Sequence, residues 1–79
     1  MFLHIYSLDK SKFYREAQSV SVKTSRGEIT ILDHHRPLIT PLVKGPMVIV
    51  EANGEKTTID AEGGILEVRP GSEVNILAD

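Results

Sequence analysis

Asp33-His34-His35 is the densest group of reactive side-chain types in the chain, and adjacent imidazoles beside a carboxylate are the makings of a metal site or an acid–base centre. Consecutive residues on a strand face opposite ways, so both rings could meet one ion only from a loop, and a third ligand at helical or hairpin spacing is missing. The segment DHHRP reads instead as a polar loop closing ahead of a strand that starts at Leu38. No serine sits in a GxSxG elbow or a comparable nucleophile setting. Glu62-Gly63-Gly64 is too short to cradle a phosphate, since it has no GxxxxGK and no helix follows it; its glycines fit a tight turn or a close backbone approach. The carboxylates Glu28, Asp33, Glu51, Glu55, Asp60, Glu62, Glu67 and Glu73 fall mostly on wet positions or turns, with no converging pair. The residues point away from catalysis and toward an interaction module.

Composition narrows the classes further. The 79 residues, 8.7 kDa in all, are enough for one core and no more. With no Cys there is no disulfide, thiolate nucleophile or Cys-ligated metal. A net charge of −2 without any Lys/Arg block disfavours phosphate-driven nucleic-acid binding. Aromatics are confined to Phe2, Tyr6, Phe13 and Tyr14, a poor supply for a base-stacking platform. No apolar run approaches the roughly 18 residues of a membrane span, and MFLHIYSLDK lacks the basic start and long apolar stretch of a signal peptide. The expectation is a soluble, intracellular chain brought to any membrane by another protein.

The elements that would position these residues are strands. Val, Ile and Thr supply 20 of the 79 residues, and apolar residues alternate or come in short blocks, with no long helical period. Strands are expected at Phe2–Tyr6, Gln18–Thr24, Glu28–Leu32, Leu38–Val43, Met47–Glu51, Lys56–Asp60, Ile65–Arg69 and Val74–Leu77. Asn53-Gly54 predicts a two-residue type I′ hairpin, with positive φ at both residues. Ser25-Arg26-Gly27 and Pro70-Gly71 mark two further hairpins. Asp9–Ala17 has no clear apolar face and reads as loop or edge strand. The architecture is all-β: a small antiparallel β-sandwich of roughly eight to ten strands. MVIVEA and GGILEV are apolar on consecutive residues, which predicts cover on both faces, by the opposing sheet or by another protein.

The order of segments carries a resemblance. Gly27-Glu28, His35-Arg36-Pro37-Leu38, Lys44-Gly45-Pro46, Gly63-Gly64-Ile65-Leu66-Glu67-Val68 and Ile76-Leu77-Ala78-Asp79 resemble the N-terminal β-sandwich domain of the epsilon subunit of F-type ATP synthases, whose mitochondrial equivalent is called delta. The likeness extends over residues 1–79 as a single domain and is weaker over Met1–Val20. Three departures stand out. Asp33-His34-His35 replaces the Pro/Asn-Gly-His turn usual in the family, Gly45-Pro46 reverses a Pro-Gly order, and Glu62 stands where a small residue is common.

The resemblance implies a non-catalytic rotor subunit of the central stalk, without cofactor or metal, coupling ion-driven rotation of the membrane c-ring to the gamma subunit and to ATP synthesis. It implies a peripheral complex at the cytoplasmic face of a bacterial plasma membrane, or the organellar equivalent, with no direct membrane insertion. Carried over by position, Glu28, His35, Arg36 and Pro37 match the c-ring-facing end of the sandwich. The strands apolar on both faces are candidates for the gamma side. Family members continue past Leu-Ala-Asp into a two-helix hairpin that can inhibit ATP hydrolysis and in some binds ATP, so residues 1–79 are expected to hold neither that arm nor a nucleotide site. The alternative is a biotinyl or lipoyl carrier domain, also small and all-β. Lys44 and Lys56 lie near turns, though without the flanking pattern such domains use.

Overall fold

The computed structural model describes residues 1–8 and 12–79. Eight strands follow in order: β1 (Phe2–Ser7), β2 (Lys12–Thr24), β3 (Gly27–Leu32), β4 (Leu38–Leu42), β5 (Gly45–Glu51), β6 (Lys56–Ala61), β7 (Gly64–Arg69) and β8 (Glu73–Ala78). Among the described residues there is no helix. Each strand covers one of the runs expected from alternation, and most ends agree within two residues. The exception is β2, which begins at Lys12 instead of Gln18. Of the two readings expected for Asp9–Ala17, loop or edge strand, Lys12–Ala17 takes the strand, with Lys12–Glu16 at the edge of its layer, and Asp9–Ser11 lies outside the described residues.

Pairing follows one path, β4-β7-β8-β1-β2-β5-β6, with β3 added to β2. The path becomes two layers because β2 belongs to both. Its residues Lys12–Glu16 pair with β1, while its later residues lie between β3 and β5. Between these halves the register with β5 slips from Ala17↔Glu51 to Ser19↔Val50, leaving Gln18 as an extra residue. A bulge of this kind bends and twists the strand. The first layer is therefore β4, β7, β8, β1 and the start of β2; the second is β3, the end of β2, β5 and β6. All pairs are antiparallel except β1 with β8, which is parallel, a departure from the wholly antiparallel sandwich expected.

Side chains at every second position fill the space between the layers. Leu3 and Ile5 of β1, Val20 and Val22 of β2, Met47 and Ile49 of β5, Leu66 and Val68 of β7, and Val74 and Ile76 of β8 are all buried, and among the described residues no polar side chain is buried with them. The other positions of MVIVEA and GGILEV are not covered to the same degree. Val48 and Val50 are half-buried and Ile65 is exposed.

Two glycines explain two turns. At Asn53-Gly54 the hairpin is present, but only Gly54 takes positive φ (89°), so the turn is not type I′. The Gly54 amide instead donates to the Glu51 carbonyl (2.8 Å) and Asn53 Oδ1 accepts from the Glu55 amide (3.0 Å), closing a four-residue connection through the asparagine side chain. Gly64 opens β7 at φ 141° against β8, where a Cβ would lie 2.1 Å from the Leu77 carbonyl oxygen and 3.0 Å from the Ala78 Cα. The close backbone approach expected of Gly63-Gly64 is thus located at Gly64.

Gly64→Ala should therefore cost about 2–4 kcal/mol, since strain and a backbone clash add together. Gly54→Ala meets nothing within 4 Å and carries only the conformational cost of about 1–2 kcal/mol. Urea titrations of both variants check the ranking; equal losses would mean that the backbone at Gly64 relaxes freely.

Candidate functional site

The outward faces of the two layers differ in chemistry, and cross-strand register states how. On the first layer, Pro41 pairs with Ile65, Ile65 with Leu77, Leu77 with Tyr6 and Tyr6 with Lys12. This row is an apolar stripe across four strands. The adjacent row runs Ile39, Glu67, Asn75, His4, Tyr14, and the one beyond it Arg69, Glu73, Phe2, Glu16. Ile39, Leu77 and Ile65 are 70%, 59% and 48% exposed. Beside the stripe the rings are packed together: His4 lies edge-on at 4.9 Å from both Phe2 and Tyr14, and Tyr6 is 5.8 Å from Tyr14. A hydrogen bond to Tyr14 pushes the Tyr6 phenol above its ordinary pKa, with partial desolvation adding to it.

The second layer presents Ser21 and Thr30, whose hydroxyls are 2.8 Å apart, with Lys23, Glu28, Lys56 and Thr58 around half-buried Val48 and Val50. Its chemistry is that of a solvated sheet face.

The residues singled out from sequence divide between the ends of β3. Glu28 stands at its start, with its carboxylate 3.9 Å from Lys23 Nζ. His35, Arg36 and Pro37 follow its end, in the exposed turn before β4. Glu28 and Leu32 are four strand positions apart, about 13 Å, so one local cluster does not hold all four residues. Any surface including both sets runs along β3, whose other edge is unpaired among the described residues.

That turn is tied at several points. The His35 amide donates to the Leu32 carbonyl (3.2 Å), and His35 Nδ1 lies 2.8 Å from the Arg36 carbonyl. His34 Nδ1 lies 3.2 Å from Ser72 Oγ. The adjacent imidazoles therefore have separate partners, and among the described residues no three His, Cys, Asp or Glu side chains gather as a metal site. The Met1 ammonium donates to Asp33 and to the Ala17 carbonyl (3.0 Å). The ammonium hydrogen bond holds the Asp33 carboxyl below the usual carboxylate range, against a smaller opposing effect of desolvation.

The larger grooves, about 400 and 410 Å³, are open and flank β4; neither gathers convergent polar groups as a small-molecule site would. Lys44 lies 3.8 Å from Glu62, and Lys56 opens β6 beyond the hairpin tip, so neither is presented as a carrier lysine.

The family model described as ATP synthase, Delta/Epsilon chain, beta-sandwich domain matches residues 1–79. The chain belongs to this family. An ATP synthase epsilon chain of Xanthomonas oryzae pv. oryzae is 44% identical over 75 residues, covering 95% of this chain and 53% of the relative. One from Bordetella petrii is 41% identical over 75 residues, with 52% of its length covered. This epsilon-type chain thus spans about half the length of the curated relatives it matches. The fold is shared with a chain of the Euglena gracilis mitochondrial ATP synthase, solved as an OSCP/F1/c-ring assembly, at a TM-score of 0.83 and 20% identity over 96% of this chain and 48% of that one. It is shared too with a chain from the central stalk and c-ring of the Tetrahymena thermophila mitochondrial enzyme, at 0.79 and 18%, over 99% and 62%. Family membership favours the epsilon-type reading over the carrier alternative.

Sequence reasoning did not single out Phe2, His4, Tyr6, Tyr14, Ile39 and Leu77. The signal was present in FLHIY, where Phe2, His4 and Tyr6 share one face while Leu3 and Ile5 share the other.

Asp33, with its lowered pKa, contributes stability that is present above the unfolded-state value near 3.9 and lost as pH falls through the folded-state value. Asp33→Asn should weaken the domain at neutral pH and reduce the further loss below about pH 4. Urea midpoints across acidic pH test this; parallel curves for the two proteins would contradict it.

Proposed function

We propose that the chain is a non-catalytic rotor subunit of an F-type ATP synthase, coupling rotation of the ion-driven c-ring to the gamma subunit and so to ATP synthesis. The observation that carries this reading is the exposed apolar stripe Pro41-Ile65-Leu77-Tyr6 with the ring cluster beside it. An apolar face rimmed by Lys12, Glu16, Glu67 and Arg69 has the composition of a protein interface. Its family and the central-stalk and c-ring assemblies that hold the same fold support a place in the central stalk, and gamma is proposed as the partner on this face.

The ring contact is proposed along β3 and the following turn, through Glu28, His35, Arg36 and Pro37. These are exposed and mostly polar, which suits a contact with polar loops at a membrane surface. Among the described residues no helix is long and apolar enough to cross a membrane. Family membership supports a peripheral position, proposed at the cytoplasmic face in a bacterium. No chemistry of its own is proposed; its contribution is a rigid connection between two partners.

Leu77→Asp should cost the fold about 1–2 kcal/mol, through poor strand propensity and lost cross-strand contacts with Ile65 and Tyr6, while lowering gamma affinity at least about tenfold. Glu28→Ala should leave gamma binding unchanged and weaken ring association about fivefold or less, the range of an exposed ion pair. Titration against purified gamma, and against a gamma–c-ring complex, reads both. Undiminished gamma binding by Leu77→Asp would remove the first layer from the interface.

A further inference from the structure

Two residues other than glycine adopt positive φ among those described, His34 at 62° and Ser72 at 59°. They are 38 positions apart in the chain and bonded to each other. The His34 amide donates to Ser72 Oγ at 3.0 Å, and the same hydroxyl oxygen lies 3.2 Å from His34 Nδ1. The left-handed region costs a residue with a Cβ about 1–2 kcal/mol, and histidine enters it more readily than most when local hydrogen bonds offset that cost. Ser72 supplies that compensation twice, once to the backbone and once to the ring. The hydroxyl can accept from the amide and donate to a neutral Nδ1, so both of its hydrogen-bonding functions are used.

Ser72 is itself fixed, since its carbonyl accepts from the Phe2 amide at 2.9 Å. It therefore connects the β7–β8 turn, the start of β1 and the turn from β3 to β4. That last turn carries His35, Arg36 and Pro37. We propose that Ser72 is the positioning residue for the ring-facing turn: its hydroxyl holds His34 left-handed and thereby sets where His35, Arg36 and Pro37 stand. The inference rests on the proposed ring contact for its functional consequence, and on local geometry alone for the latch.

His34 takes a conformation that glycine adopts without a side-chain penalty. The serine hydroxyl does for histidine what glycine does not require.

The test uses Ser72→Gly, which keeps a residue suited to positive φ at position 72 while deleting the hydroxyl, together with His34→Gly and the double variant. In the 79-residue chain, Ser72→Gly should speed hydrogen exchange at the His34 amide at least tenfold while core amides such as Leu66 and Ile76 are unchanged. It should weaken association with a gamma–c-ring complex about three- to tenfold. In the His34→Gly background, where residue 34 takes positive φ unaided, adding Ser72→Gly should change that affinity less than twofold. Unaltered His34 exchange in Ser72→Gly would overturn the latch. An equal affinity loss in both backgrounds would overturn its positioning role. If the parent chain does not bind the complex at all, the ring contact is wrong, while the exchange measurement still decides whether the latch exists.

Discussion

The surface chemistry of this domain depends on one strand being shared between two layers. Lys12–Glu16 of β2 extends the layer containing β1, and beyond the extra residue Gln18 the same strand lies between β3 and β5. With no disulfide and a single core, this passage, the β3–β4, β4–β5 and β6–β7 connections and the apolar packing between the layers hold them together. Each strand can then commit only alternate residues to the core, and the remaining half of every strand is available to partners. A small sandwich has two outer faces to offer, and here they are unlike.

The first layer shows a stripe of aliphatic and aromatic side chains in register across β4, β7, β8 and β1, while the second shows hydroxyls and charges around half-buried Val48 and Val50, with Leu32 exposed at its edge. Burying the stripe against another protein would remove exposed apolar surface from water, worth roughly 25 cal/mol per Å² before the costs of association. The hydroxyl face has little to gain in the same way. The proposed rotor role asks for one partner held firmly and another met at an edge, and this asymmetry suits both. The turn after β3 adds a third element, since its shape is set from the opposite layer through Asp33 with Met1 and His34 with Ser72.

Much of the fold was legible in the residues. Alternation in QSVSVKT and EITIL, and turn residues between the runs, locate seven strands within two residues of their ends. Lys12–Ala17 was obscured because the alternate set Phe13, Arg15, Ala17 includes a charged residue. The Arg15 guanidinium lies 5.0 Å from the Phe13 ring centroid, so the arginine contributes an aromatic contact where an apolar residue was sought. The parallel pairing of β1 with β8 joins opposite ends of the chain and leaves no local trace. The I′ turn failed because Asn53 uses its side chain to accept a hydrogen bond instead of taking positive φ. Of the site, the residues of the proposed ring contact could be carried over by position from the resemblance. Their separation along β3 and the apolar stripe could not, because both require knowing which strands are neighbours.

The central claim is that the first layer's outer face meets gamma. Its most direct measurement is methyl NMR of the isotope-labelled domain during titration with unlabelled gamma subunit. The methyls of Ile39, Ile65 and Leu77 are predicted to shift or broaden together, with Val48 and Val50 on the opposite face unaffected. Perturbation centred on Val48 and Val50, with Ile65 and Leu77 unchanged, would contradict it.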